Sequence, residues 1–218
     1  MHAVIFDLDG VLADSEPLWN EIDATLLAEQ GVTYRGEYHR EVLGVSYPIA
    51  VEFYKRAFGL AAPTDEMMRR RAEIARAFFA SRVPIFPSTK NVLTELREMK
   101  LPLGIATSSV RASALPFLDR HGLTSFFDAI VTGDEVERGK PHPDIYLREA
   151  ENLGVAPEAC LVIEDALSGI AAAKAAKMCV IAIPDVRFVD PCDYEKEADF
   201  LLSSLSEVPP LVRSLPGL

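Results

Sequence analysis

The sequence predicts an α/β fold, and three observations predict it. A short apolar run, Ala3 to Phe6, opens the chain; a long stretch of helical pattern follows; then near-continuous apolar runs alternate with helical segments to the end. Strands that are apolar on both faces belong to a parallel sheet covered by helices on each side. The simplest assembly puts the first strand in the same sheet as the later ones, a Rossmann-like parallel core in which the helical stretch is a small inserted α-helical cap. The expected boundaries are 1–14 and 84–218 for the core and 15–83 for the cap.

Each element has its own justification. AVIFDLDG reads as a buried strand of β-formers closed by Gly10. From Ser15 to about Arg82 the pattern is helical, with breaks near Gly31, Gly44 and the Gly59–Pro63 stretch. After Pro84 and Pro87 the runs LPLGIAT, FDAIVTG, ACLVIED, MCVIAIP and ADFLLS read as strands. Helices are expected over 88–99, 110–121, 143–153 and 168–176. The tail from Val208 to Leu218, with Pro209, Pro210 and Pro216, reads as a last helical piece and a loose end.

Composition narrows the function classes. At 49% hydrophobic and 25% charged residues, the 218-residue chain has the make-up of a folded soluble protein. Its 22 basic against 33 acidic residues give a formal charge of -11, which opposes capture of nucleic acid or of an anionic membrane. Any anionic substrate must therefore be met by locally concentrated positive charge. Cys160, Cys179 and Cys192 form no C-x-x-C pair, which argues against a disulfide framework or a zinc site; Cys160 and Cys179, in apolar runs, read as buried thiols. The opening apolar run meets two aspartates within a few residues, so it is neither a signal peptide nor a membrane span. A reducing, cytoplasmic setting is expected.

Ligands of open parallel sheets bind beyond the carboxyl ends of the strands, and that is where the polar residues collect. Asp7 and Asp9 follow the first strand, and two acids so close repel unless a cation or a shared proton compensates them. Alone, D-x-D-G is also a common solvated turn. Here Gly10 turns the chain, which would let Asp9 offer its carbonyl to an ion and its side chain to a substrate. Glu164 and Asp165 end another strand, and this second acidic pair completes what an oxygen-seeking ion such as Mg2+ needs, although Glu164 could equally be a helix-start charge. Thr107, Ser108 and Ser109 lead into a helix and could hold phosphate oxygens there, or simply cap it. Lys140 stands between residues stiffened by Pro141 and Pro143, while His142 reads as solvent-facing.

The order of these pieces is more specific than any one of them: D-x-D-G after the first strand, Thr/Ser after a middle strand, a lone Lys, then paired acids after a late strand. That order resembles the haloacid dehalogenase superfamily of phosphotransferases along essentially the whole chain. Within it, FDLDGVLADSEPLW, GKPHPDIYL and IEDALSGIAAAKAAKM are similar to the β-phosphoglucomutase-like sugar phosphatases, including 2-deoxyglucose-6-phosphate phosphatases. The resemblance implies a magnesium-dependent phosphatase acting on a small phosphorylated metabolite, with no nucleic acid or membrane partner and a monomeric state. It implies Asp7 as nucleophile and metal ligand and Asp9 as general acid and base with its carbonyl on the metal. It further implies Thr107 and the Ser108 amide on phosphate, Lys140 neutralising the reacting charges, Asp165 on the metal, and Glu164 beside it.

The alternative within the resemblance is a hexose phosphomutase, which must hold a bisphosphate by its far phosphate. Where the mutases carry a histidine soon after the first motif this chain has Trp19, and where they carry an arginine after G-V-S it has Tyr47. Losing a guanidinium there removes bidentate phosphate recognition and favours hydrolysis. Trp19 and Tyr47 are expected to line the cap side of the cleft and stack on a sugar or polyol. The run Arg69-Arg70-Arg71 is expected to be a solvated helix face.

Overall fold

Among the residues described by the computed structural model, 2–36 and 38–215, six strands form one parallel sheet. They are β1 (Ala3–Phe6), β2 (Leu103–Thr107), β3 (Ala129–Thr132), β4 (Cys160–Glu164), β5 (Cys179–Ala182) and β6 (Phe200–Leu201), in the order β3-β2-β1-β4-β5-β6. The first strand lies at the centre because its four residues, all buried, offer an apolar side chain to each face. Val4 and Phe6 enter one apolar cluster and Ala3 and Ile5 the other, as a period of two requires. The chain runs from β1 outward through β2 to β3 and then crosses back to β4 on the other side of β1, so a crevice opens at the carboxyl ends of β1 and its neighbours.

Between β1 and β2 come the helices α1 (Glu16–Glu29), α2 (His39–Val42), α3 (Tyr47–Phe58), α4 (Thr64–Ser81) and α5 (Thr89–Glu98). The first four lie in the stretch expected to be a cap, and the breaks between them fall at the glycine and proline positions that the sequence marks. Residues of this helical stretch such as Leu27, Tyr34 and Tyr54 make a small apolar cluster of their own. Phe79 of α4 also packs edge-on against Phe117 of the core at 5.8 Å between ring centres. The remaining helices are α6 (Arg111–His121), α7 (Asp144–Leu153), α8 (Leu167–Ala175) and α9 (Val208–Ser214). The loose end expected at Pro216–Leu218 lies outside the described residues.

The helical segment is seated on the strand ends by backbone acceptors. Ser108 Oγ donates to Gly44 O at 3.1 Å, and Ser168 Oγ donates to Leu43 O at 3.3 Å. An ion pair between Arg40 and Asp193, 2.9 Å, closes the rim. Cys160 is buried as expected; Cys179 is only partly so, since it faces the thinner covering near the sheet edge. No helix among the described residues is long and apolar enough to cross a membrane.

Candidate active site

The register of the sheet assembles the first part of the site. Phe6 pairs with Ile163, so the next residues, Asp7 and Glu164, leave adjacent strands side by side. Asp7 is anchored by its own N–H on Ile163 O at 2.9 Å. The chain then turns sharply: the N–H groups of Leu12 and Ala13 both return to Leu8 O. Gly10 takes φ +75°, and a Cβ there would fall 1.9 Å from Asp165 Oδ2. The glycine of D-x-D-G is thus required twice, by the left-handed turn and by the closeness of the second acidic pair.

Lys140 is 1% exposed and reaches back from the loop before α7 to join the two strand ends. Its Nζ donates to Asp7 Oδ1 and to Glu164 Oε1, both at 2.6 Å. Burial alone would depress the lysine pKa, but Asp7 and Glu164 outweigh it and the pKa is raised. Glu164 Oε1 also accepts from the Tyr146 hydroxyl at 2.5 Å, and Oε2 accepts from the N–H groups of Asp165 and Ala166. Helix α8 can come this close because residue 169 is glycine: a Cβ would sit 1.7 Å from Glu164 Oε1.

Asp165 differs in having Oδ2 buried without any hydrogen-bond partner. Burial raises the pKa of both Asp165 and Asp7, reinforced by neighbouring carboxylates and opposed by Lys140. Oxygens of Asp7, Glu164 and Asp165 lie within 4.8 Å of one another. Three buried carboxylates against one ammonium leave negative charge in excess, and an all-oxygen donor set with an unpartnered oxygen fits a hard divalent cation such as Mg2+.

Asp9 is held from both sides of the cleft. Its Oδ1 accepts from Ser15 Oγ at 2.7 Å and Trp19 Nε1 at 2.9 Å; its Oδ2 accepts from Ser109 Oγ at 2.8 Å and Thr107 Oγ1 at 3.3 Å. The hydroxyls after β2 thus gather on Asp9, and Thr107 also accepts from the Ser109 N–H at 3.0 Å. Ser108 faces the same chamber while its hydroxyl holds the cap loop.

The cap half of the chamber departs from expectation at Arg71. Arg69 and Arg70 are exposed as the sequence predicts, but Arg71 is buried, with Nε and a terminal nitrogen on Asp23 at 2.7 and 3.2 Å. Run-level charge counting hid this, because one residue of three turns inward on α4. Its guanidinium lies over the rings of Trp19 and Tyr47, 4.5 and 4.7 Å from their centres. Both aromatics line the chamber, and Arg71 covers one face of each. Glu16 and His39 complete this side. Neither was singled out beforehand; Glu16 lies inside the quoted D-S-E-P-L-W stretch, and His39 carried no sequence signal. His142 is exposed, away from the chamber.

Comparison with known proteins agrees with this geometry. The family profile of haloacid dehalogenase-like hydrolases matches residues 4–183. The chain is 36% identical over 176 residues to a phosphorylated carbohydrates phosphatase of Thermotoga maritima, covering 81% of this chain and 82% of the relative. It is 33% identical over 214 residues to hexitol phosphatase B of Escherichia coli, covering 94% and 93%. Among solved structures, CbbY from Rhodobacter sphaeroides in complex with phosphate superposes with a TM-score of 0.83 at 28% identity, covering 95% of this chain and 96% of that one.

Proposed function

We infer the reaction from the family: the chain belongs to the haloacid dehalogenase-like hydrolases, in their β-phosphoglucomutase-like branch, and is a phosphoric monoester hydrolase. On that premise we propose that it hydrolyses phosphate monoesters of sugars or polyols, with magnesium, through a phosphoryl group carried on Asp7. The observation that carries this reading is the buried Asp7–Lys140–Glu164 chain beside the unpartnered Asp165 oxygen at the meeting of β1 and β4.

In the first half-reaction an Asp7 oxygen attacks phosphorus while the bond from phosphorus to the alcohol oxygen breaks, and Asp9 delivers a proton to that oxygen. In the second, Asp9 takes a proton from water; the water oxygen attacks phosphorus, the acyl-phosphate bond breaks, and inorganic phosphate leaves with Asp7 restored. Lys140 keeps Asp7 oriented and offsets charge on the phosphoryl oxygens. We assign Thr107 and the Ser108 amide to those oxygens, the Thr107 hydroxyl having to turn from Asp9 to reach them. A bound Mg2+ would neutralise phosphoryl charge and fix its orientation. Asp7, the Asp9 carbonyl and Asp165 are the ligands we assign to it. Glu164, with both oxygens committed to four donors, serves instead to hold Lys140 and the turn after β4.

The chamber has room for only about 30 Å3, roughly one or two water molecules, so substrate enters when the cap lifts and water is excluded when it settles. On the cap side of the chamber Arg71 is committed to Asp23 and His39 stands against Glu16, which leaves no free guanidinium among the lining residues for a second phosphate. This favours hydrolysis over the mutase alternative. The test is phosphate release from sugar, polyol and nucleotide phosphates with magnesium, beside Asp7→Asn and a chelator. Turnover of sugar or polyol phosphates that Asp7→Asn and the chelator each lower at least about a thousandfold is expected; unimpaired turnover by Asp7→Asn would sink the assignment.

A further inference from the structure

One pair of buried titratable groups in the chamber has no part in the phosphoryl-transfer steps. Glu16 begins α1 and His39 begins α2; their side chains are 4% and 6% exposed, and Glu16 Oε2 lies 2.9 Å from His39 Nε2. Both line the same chamber as Asp7 and Asp9. The approach is close enough for charge to be felt: burial raises the Glu16 pKa and His39 opposes the rise. His39 Nε2 thus stands against Glu16, while Nδ1, equally buried, has no hydrogen-bond partner. Phe188, on the loop after β5, meets the imidazole edge-on at 5.0 Å and fixes it from the core side.

A buried imidazole nitrogen and a buried carboxylate with a single partner, both lining a ligand chamber, call for partners from the ligand. We propose that Glu16 and His39 read adjacent hydroxyls on the alcohol half of the substrate, selecting monophosphates of polyhydroxylated leaving groups. This rests on the hydrolase reading above. A carboxylate only accepts, whereas a neutral imidazole donates at one nitrogen and accepts at the other. Two neighbouring hydroxyls can satisfy that set, one donating to Glu16 and the other bridging to His39. The buried Tyr47 hydroxyl, also without a partner, offers a third contact in the same chamber.

The same pair rejects other chemistries. A leaving group that ends in a carboxylate or a second phosphate would meet Glu16 and Asp23, and the nearest guanidinium, Arg71, is already committed to Asp23. A leaving group without hydroxyls would leave the pair buried and unsatisfied, which is the steeper kind of discrimination.

The experiment compares kcat/KM for a hexitol 6-phosphate and for n-hexyl phosphate, with magnesium, in the wild type, Glu16→Gln and His39→Gln. Wild type is expected to prefer the hexitol ester by a hundredfold or more. Each variant should shrink that ratio at least tenfold, mainly through KM for the hexitol ester. If soluble variants with wild-type melting curves keep the ratio, or if the wild type shows no such preference, the pair is not a hydroxyl reader. Should His39→Gln fail to fold, the isosteric Glu16→Gln decides alone. Absence of phosphate release from either ester and from p-nitrophenyl phosphate by the wild type would instead sink the hydrolase reading, and the pair's role with it.

Discussion

The two halves of the chamber treat charge in opposite ways. On the core side, Asp7, Glu164 and Asp165 surround a single ammonium, and one carboxylate oxygen is left without a partner. On the cap side, Asp23 faces Arg71 and Glu16 faces His39, one against one. An unbalanced cluster of carboxylates calls for a cation, whereas a matched pair keeps its arrangement without one. On the proposed function the difference separates chemistry from recognition, and it can be broken from either side.

The largest effect on stability is expected on the balanced side. Arg71→Met strands the buried Asp23, which also accepts from the Tyr54 hydroxyl at 2.9 Å, and Asp23→Asn strands the guanidinium. Either change should cost about 3–5 kcal/mol in urea unfolding, because an uncompensated charge stays buried. The double variant should recover most of that loss. A double variant as unstable as the sum of the singles would mean that the pair is not a unit.

On the unbalanced side, the effect should be smaller and depend on pH and metal. Asp7 and Asp165 have folded-state pKa values raised above their unfolded ones. As pH rises above about 4, the unfolded carboxyls ionise while the folded ones resist, so metal-free stability should fall toward neutral pH. Magnesium held at about a hundred times its pH 8 Kd should return about 2–3 kcal/mol at pH 8 and, because protons compete for the carboxylates and raise Kd, much less at pH 5. Thermal melting with and without a chelator reads this directly; a magnesium effect independent of pH would contradict the picture.

The same division marks what the sequence could tell. Asp7, Lys140, Glu164 and Asp165 each follow a strand or stand beside rigid prolines, so the sheet's own register brings them together, and locating the strands was enough to locate them. The cap residues are different. Asp23 and Arg71 are 48 positions apart on two helices, and which of three consecutive arginines turns inward depends on how α1 and α4 pack. His39 begins a helix of only four residues, too short to show any periodicity. The helix breaks of the cap were legible from Gly31, Gly44 and Pro63; the facing of its helices was not. Trp19 could be picked out from the sequence as a cleft residue, but its contact with Asp9 could not, since ring identity says nothing about where an indole N–H points.

Trp19 is where the comparison can be sharpened most finely, because a residue of the helical segment reaches Asp9 of the core. Its N–H donates to Asp9 Oδ1, while its ring packs against Tyr47 and Phe79. Trp19→Phe removes the donor and keeps most of the packing. With Ser15, Ser109 and Thr107 still on Asp9, the loss should be about that of one hydrogen bond, roughly 1 kcal/mol or about fivefold in kcat. If the indole acts through Asp9, sugar, polyol and aryl phosphates should all slow by the same factor, since proton delivery is common to them. If it instead recognises the alcohol half, the sugar and polyol esters should slow while the aryl ester does not. Kinetics on one ester of each kind therefore assigns Trp19 to chemistry or to recognition, and an unequal response would move it to the side of the chamber where Glu16 and His39 stand.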